Sequence, residues 1–275
     1  MAPSFQVMGI INVTPDSFSD GGLFLDRDAA VAHGLQLVAQ GADILDIGGE
    51  STRPGSEPVS LEQELERVIG VVDALGAALE APRISIDTRK AAVARAALTA
   101  GASLVNDVSA LRSDPAMAGV IASAGAECCL MHMQGEPRTM QADPRYSDVV
   151  DDVKAFLEER LRHAVESGID EQRIMLDPGI GFGKTVAQNL ELLRRLDELC
   201  ALGRPILIGP SRKSFIARTL AEAAPHASQP PPEERLAGTI ATCVIALERG
   251  ARVFRVHDVT PVRDALAVAA ATLSA

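Results

Sequence analysis

Short apolar segments of this chain repeatedly end in polar side chains. Asn12, Asp87 and Asp177 each close one such segment, and the last segment ends at Arg255 and His257. Other segments end at Asn106-Asp107, carry His132, or run into Ser211-Arg212-Lys213. A single Asp or Asn there is usually a helix cap, but a cap normally comes from the loop and not from the strand. Polar ends on nearly every segment therefore indicate a shared site.

These polar residues form two chemical groups. Carboxylates and an amide, which suit a flat heterocycle with ring N–H and amino donors, come from Asp87, Asn106 and Asp177. Positive charge for a phosphate-type leaving group comes from Lys213, Arg255 and His257. Asn12 adds a neutral oxygen, and a Mg²⁺ held mostly by phosphate and water needs only one or two such ligands. The residues alone predict a site for a heterocycle, a phosphate-type group and a weakly held Mg²⁺.

The elements that must position these residues form a repeat. Eight short, apolar, strand-like segments span 7–13, 44–49, 83–87, 103–109, 128–133, 173–179, 205–211 and 253–259. Helix-like segments separate them, and eight such units predict one (β/α)8 barrel domain over residues 1–275, with the active site at the carboxyl ends of the strands. A doubly wound open sheet is the alternative, but the first strand lacks the G-x-G-x-x-G turn of a dinucleotide site.

Capping signals predict where the helices begin and end. Ser60 with Gln63 forms a capping box, and Asp114-Pro115 and Thr260-Pro261 are typical helix starts. Glycines that predict left-handed helix ends are Gly41, Gly101, Gly125, Gly168, Gly203 and Gly250. A Pro-rich stretch, 225–235, is predicted to be a mobile loop away from the site.

Composition narrows the function classes. The net charge of −11 and the pI of about 5.0 argue against general nucleic-acid binding. No apolar segment reaches the roughly 20 residues of a membrane span, and no signal peptide is visible. The four cysteines show no C-x-x-C pattern and are expected to be reduced, mostly buried thiols of a cytoplasmic protein.

Eight motifs resemble, in order and over nearly the whole chain, those of the dihydropteroate synthases. They are MGIINVTPDSFSDGG, DIGGESTRPG, SIDT, NDVS, LMHMQG, LDPGIGFGK, GPSRKSFI and RVHDV. The resemblance implies a cytoplasmic, Mg²⁺-dependent transferase of folate biosynthesis and a sulfonamide target. It would condense 6-hydroxymethyl-7,8-dihydropterin diphosphate with p-aminobenzoate, releasing diphosphate. A homodimer through helices on one side of the barrel is also implied.

The resemblance also implies roles for matching positions. The pterin would be bound by Asp87, Asn106, Asp177, Lys213, Met131 and Thr52. Arg255 and His257 would hold the diphosphate, with Asn12 on Mg²⁺. The p-aminobenzoate pocket would be framed by Phe18, Arg53, Pro54, Phe182 and Ser214, and Asp20 would pair with Arg53 when the two loops close. The residues expected to take part in the chemistry are Asp87, Asp177, Lys213, Arg255, Asp20 and Arg53.

Two other functions stay open at this point. A pterin-dependent methyltransferase would share the carboxylate–amide edge, but it would not need Arg53 or a diphosphate corner at Lys213. A catalytically silent paralogue would bind a pterin without turning it over. An assay for diphosphate release on adding p-aminobenzoate separates the three.

Overall fold

The computed structural model describes residues 4–14, 27–51, 57–79, 83–135, 139–223 and 228–275. Their eight strands are β1 (Gln6–Asn12), β2 (Ile44–Gly48), β3 (Ile84–Asp87), β4 (Leu104–Asp107), β5 (Glu127–Met131), β6 (Ile174–Asp177), β7 (Leu207–Ile208) and β8 (Val253–Val256). Their helices are α1 (Arg27–Ala39), α2 (Leu61–Ala78), α3 (Ala91–Thr99), α4 (Met117–Ala124), α5 (Val149–Glu166), α6 (Val186–Arg194), α7 (Leu196–Cys200), α8 (Ser214–Ala223), α9 (Leu236–Glu248) and α10 (Val259–Leu273).

The strands form a closed parallel barrel. Their order is β6-β5-β4-β3-β2-β1-β8-β7, with β1 paired to both β2 and β8. A parallel bridge between Leu176 and Ile206 joins the two ends of this series, and Leu176 N donates to Pro205 O at 3.0 Å. The predicted (β/α)8 barrel is therefore confirmed, and the open-sheet alternative is wrong.

The interior of the barrel is filled in layers. Seven strands contribute one residue each to a separate buried cluster: Met8, Ile44, Leu104, Cys129, Met175, Leu207 and Val253. Because side chains alternate across a strand, the residue two positions later on each strand points inward again, one layer closer to the carboxyl ends. That next layer contains Asp46, Asn106, Met131, Asp177, Gly209 and Arg255, and Asp87 joins it from β3.

The helices pack outside the barrel through their apolar faces. On α2 the buried residues include Val68, Val72 and Leu75. Ser60 and Gln63 form the predicted capping box. The six glycines predicted at helix ends all have positive φ, between 59° and 112°.

Two helix starts differ from the prediction. Asp114 accepts a hydrogen bond from Ala116 N at 3.0 Å, so it caps a turn that precedes α4, and the helix begins at Met117. Helix α10 begins at Val259, with Asp258 before it, so Pro261 is its third residue. A proline is tolerated there because the first turn needs no N–H donor.

The four cysteines are free thiols, as predicted. Three are buried, and Cys200 is half-buried. Burial raises the pKa of the Cys128 thiol to about 12. Within the described residues, no helix has the length and apolar character needed to cross a bilayer.

Candidate active site at the carboxyl ends of the strands

Arg255 occupies the centre of the polar layer. Its Nε donates to Asp46 Oδ2 at 2.6 Å, and its Nη2 donates to Asp87 Oδ2 at 2.8 Å. Asn106 Nδ2 donates to the same Asp46 oxygen at 3.1 Å. Three strands and the final strand β8 thus meet in one hydrogen-bonded group, and the arginine uses two of its five N–H donors in these contacts.

Burial sets the ionisation of this group. It raises the pKa of Asp87 to about 7, with the positive charge of Arg255 acting in the opposite direction. Burial lowers the pKa of Arg255, but the carboxylates of Asp46 and Asp87 outweigh it, so the net shift is upward. The guanidinium of Arg255 is therefore charged.

Asp177 at the end of β6 is held on both its main chain and its side chain. Its carbonyl oxygen accepts from His132 N at 2.9 Å, and its Oδ1 accepts from Gly179 N at 2.7 Å. Burial raises the pKa of Asp177, while Lys213 acts to lower it. The second carboxylate oxygen, Oδ2, makes none of these contacts and suits an N–H donor of a ligand.

Lys213 follows β7 and reaches across to the loop after β6. Its Nζ donates to Ile180 O at 2.5 Å and lies 4.4 Å from the centroid of the Phe182 ring. Burial lowers the pKa of Lys213 to about 8, with Asp177 acting in the opposite direction. A Cβ added at Gly209 would lie 3.9 Å from Lys213 Nζ and 3.7 Å from Arg255 Cβ, so the glycine leaves space between the two cations.

An apolar wall adjoins Lys213. Met131 at the end of β5 packs in a buried cluster with Val108, Met133 and Met140, and Phe182 packs against this cluster. A flat ring bound at the carboxylates would find sulfur and aromatic surface on this side, both favourable neighbours of a π-system.

The loops after β7 and β8 are joined to each other. Ser211 Oγ lies 2.9 Å from His257 Nδ1 and accepts from His257 N at 3.2 Å. Arg212 has φ 60° and forms a bidentate pair with Asp258, at 2.7 and 3.0 Å. This corner is the usual phosphate-binding position of a (β/α)8 barrel.

Comparisons with known proteins agree with this geometry. The sequence profile of the family described as pterin binding enzyme matches residues 8–257. The dihydropteroate synthase of Synechocystis sp. is 50% identical over 253 residues, which cover 92% of this chain and 85% of that protein. The Yersinia pestis dihydropteroate synthase, solved with a sulfonamide drug complex, has a TM-score of 0.92 at 44% identity, covering 99% and 95% of the two chains. The Xanthomonas albilineans dihydropteroate synthase, solved with 4-aminobenzoic acid, has a TM-score of 0.89 at 46% identity, covering 100% of both chains.

The chain belongs to the dihydropteroate synthase family. It is a pterin-binding transferase of folate biosynthesis. The relatives named above are dihydropteroate synthases and not methyltransferases.

The structure brings together most of the residues predicted for a dihydropteroate synthase site. Arg255 binds Asp87 and, through Asp46, is joined to Asn106, while Asp177 lies close enough to Lys213 for their charges to interact. Lys213 faces the ring of Phe182, which packs against the cluster that contains Met131. His257 contacts Ser211, two residues before Lys213. Asn12 ends β1 at the same end of the barrel, and the exposed Ser214 begins α8 beside Lys213. Phe18, Asp20, Thr52, Arg53 and Pro54 lie outside the described residues.

Two residues of the strand ends serve the framework instead. His132 follows Met131 and so points away from the barrel interior, where its ring makes an edge contact with Phe156 of α5 at 4.8 Å. Asp107 likewise follows Asn106 and accepts hydrogen bonds from Ser109 N and Leu111 N, both at 2.8 Å. The prediction that all polar strand ends share one site is wrong for these two.

The sequence prediction omits two buried charged residues that lie beside the site. Asp46 is fully buried in β2, and its position within the apolar segment ILDIGG was the available signal. Lys184 is only 3% exposed, and a lysine directly after the glycines of GIGFGK was a similar signal. A charged residue inside an apolar or glycine-rich segment needs a partner in the fold.

The Pro-rich stretch 225–235 reaches the site at its carboxyl end. Arg235 Nη1 donates to Arg212 O at 2.7 Å, and its Nε donates to Pro230 O at 2.9 Å. The prediction that this stretch lies away from the site is wrong there. Residues 225–227 lie outside the described residues.

Proposed function

We propose that this site condenses 6-hydroxymethyl-7,8-dihydropterin diphosphate with p-aminobenzoate to give 7,8-dihydropteroate and diphosphate. The observation that carries the proposal is the inward layer in which Arg255 contacts Asp87 and shares Asp46 with Asn106. Asp177 and Lys213 lie beside this group. One layer thus offers acceptors for a pterin and cations for a diphosphate.

The pterin is bound through its polar edge. The carboxylates of Asp87 and Asp177 and the amide of Asn106 accept from its ring N–H and amino groups, since an ionised carboxylate is an acceptor only. Lys213 lies over the ring region, and Met131 and Phe182 cover an apolar face.

The chemistry is a substitution at the pterin methylene carbon. The bond from that carbon to the diphosphate oxygen breaks first, and the diphosphate leaves with the electron pair. Arg255 and His257 stabilise the departing anion, while Asp87 and Asp177 offset the positive charge that builds on the pterin. The amino nitrogen of p-aminobenzoate then attacks the carbon and loses a proton.

Mg²⁺ fits the donor set at this corner. Among the described residues no three His, Cys, Asp or Glu side chains converge on a cation position. Asn12 would hold the ion through one amide oxygen while the diphosphate and water supply the other ligands. When bound, the ion would neutralise part of the leaving group's charge.

The p-aminobenzoate pocket is proposed at the rim beyond the pterin. Phe182 and Ser214 lie at this rim in the described part of the chain. In this proposal the loops that contain Phe18, Asp20, Arg53 and Pro54 complete the pocket, with Asp20 paired to Arg53. Thr52 is proposed to lie near the pterin. We also propose that sulfonamides bind this pocket, because the Yersinia pestis relative was solved with a sulfonamide drug complex.

Two further statements are proposals about the whole protein. We expect a cytoplasmic location from the folate pathway. We also expect a homodimer, and exposed apolar side chains on the adjacent helices α9 and α10, Ile245 and Val268, suit such an interface.

Diphosphate release tests the proposed function. With both substrates and Mg²⁺, the protein should release diphosphate and form 7,8-dihydropteroate only when p-aminobenzoate is present. Pterin diphosphate binding without release would instead indicate a silent pterin-binding protein. Methyl transfer from methyltetrahydrofolate without diphosphate release would indicate the methyltransferase.

A further inference from the structure

The turn after β6 is held by side chains at every carbonyl group of residues 179–183. Lys184 Nζ donates to Gly179 O at 3.0 Å and Phe182 O at 2.9 Å, Lys213 Nζ to Ile180 O at 2.5 Å, Gln141 Nε2 to Gly181 O at 2.7 Å, and Tyr146 Oη to Gly183 O at 2.7 Å. A single buried side chain, Lys184, binds two of these five carbonyl groups.

Lys184 has a complete set of partners. Besides the two carbonyl groups, its Nζ lies 3.0 Å from His132 Nδ1, so three polar groups surround the nitrogen. Burial lowers the pKa of Lys184 to about 7. Burial lowers the pKa of His132 to about 2, and the charge of Lys184 acts in the same direction. The imidazole is therefore neutral, and Nδ1 can accept when the ring proton is on Nε2.

These contacts fix the surroundings of Lys213. Ile180 O, which accepts from Lys213, lies between the two carbonyl groups that Lys184 holds. Phe182 bears both a carbonyl group bound by Lys184 and the ring that faces Lys213 Nζ. A movement of this turn would shift both contacts of Lys213 together.

We propose that Lys184 is a positioning residue that acts through Lys213: its buried side-chain nitrogen holds the Gly179–Phe182 turn so that the turn places Lys213 at the pterin. This inference rests on the proposed role of Lys213 at the pterin. Lys184 itself does not touch the substrate. It performs, for a cation of the site, the orienting task that a hydrogen-bonded neighbour performs for a metal ligand.

A double-mutant cycle with Lys184→Met and Lys213→Met tests the proposal. In the otherwise native protein, Lys184→Met should lower kcat/KM for the pterin diphosphate by about 10- to 100-fold, as misplacement of a reacting group does. In the Lys213→Met background it should lower kcat/KM by less than about 3-fold, because interacting residues are non-additive. Equal losses in the two backgrounds would overturn the proposal, since a general loss of structure is additive.

Tyr146→Phe is the matched control. It removes a side-chain donor from the same loop, at Gly183 O, but leaves the 179–182 turn intact. We expect it to change kcat/KM for the pterin diphosphate by less than about 3-fold, because the contacts of Lys184 and Lys213 with the turn remain. A loss as large as that of Lys184→Met would contradict a specific path through Lys213.

Two further results keep the outcome clear. If Lys184→Met does not fold, Lys184→Leu replaces it, since leucine also has no N–H donor and buries no charge. A folded Leu variant with non-additive loss supports the proposal, and one with additive loss or none overturns it. Failure of the native protein to release diphosphate would overturn the proposed function. If the native protein is active and Lys184→Met has the same kcat/KM as the native protein, this inference alone is overturned.

Discussion

At the scale of single residues, the site depends on charges that are buried but paired. Arg255 is bound by two carboxylates, and one of them, Asp46, is inaccessible to solvent. Breaking such a pair is expensive, because the remaining charge has no water to solvate it. Asp46 therefore holds Arg255 on the side of the barrel interior. The N–H groups of the guanidinium that bind neither Asp46 nor Asp87 can bind an anionic ligand.

The Asp177 carboxylate gives the first prediction. Asp177→Asn keeps the shape but removes the negative charge that would offset the pterin cation. We expect kcat to fall about 100-fold or more, the size found when one preorganised electrostatic partner is removed. The KM for p-aminobenzoate should change by less than about 3-fold, because uniform binding is untouched. Steady-state kinetics measure both; near-native kcat would contradict the cation-stabilising role. Asp143→Asn, at an exposed carboxylate, is the control.

The Lys213 ammonium group gives a pH prediction. Since burial lowers the pKa of Lys213 to about 8, the group is charged below that pH and neutral above it. The kcat/KM for the pterin diphosphate, which reports groups of the free enzyme, should therefore decrease as pH rises through about 8. Lys213→Met should lower kcat/KM throughout and lack this decrease. A profile that is flat from pH 7 to 9 in the native protein would count against the role of Lys213.

How far the site residues could be predicted depends on strand alternation. Asp87, Asn106, Asp177 and Arg255 were visible because polar residues ending apolar segments are unusual. A polar strand end does not by itself show which side of the strand it faces, so the sequence pattern includes Asp107 although its side chain points outward. The partners of Lys184 could not be predicted, because His132 is 52 positions away in sequence and only the fold brings them together.

At the scale of the elements, the turn after β6 is tightly constrained by its neighbours. Gly179 has φ 67°, and a Cβ there would lie 1.9 Å from His132 O. The same strand neighbour donates its N–H to Asp177 O. The close approach of the β5 and β6 ends therefore requires glycine, and it also places Asp177. The sequence LDPGIGFGK predicts a loop of this kind, but its packing against β5 is a property of the barrel.

Gly179→Ala and Gly125→Ala form a matched pair for this turn. Gly125 has φ 59°, but nothing lies within 4 Å of an added Cβ. Gly125→Ala should cost about 1 kcal/mol of stability, from backbone strain alone. Gly179→Ala should cost more than about 3 kcal/mol or prevent folding, because the clash is with backbone. Urea unfolding measures both free energies, and equal losses would show that the β6 turn is free to move.

At the scale of the whole molecule, the barrel could be predicted because the same unit occurs eight times. Each of the eight predicted segments contains one strand of the barrel, because buried parallel strands are continuously apolar in sequence. Closure depended on the shortest strand, β7, with two residues and a bridge from Ile206 to Leu176. The contact between Arg235 and the loop after β7 could not be predicted, because proline content describes the local chain and not what an arginine at its end contacts.

The outer surface carries the last prediction, which concerns assembly. Val268 on α10 is 69% exposed, the most exposed of the large apolar side chains in the described residues, and Ile245 on the adjacent α9 is also exposed. If this surface forms the proposed homodimer, Val268→Asp should place a charge in the interface and convert the protein to monomer at about 10 μM, since an unpaired buried charge is costly. Sedimentation velocity measures the change. Leu190→Asp, at an exposed leucine of α6, is the control and should leave the dimer intact. A Val268→Asp variant that remains dimeric would place the interface on another face of the barrel.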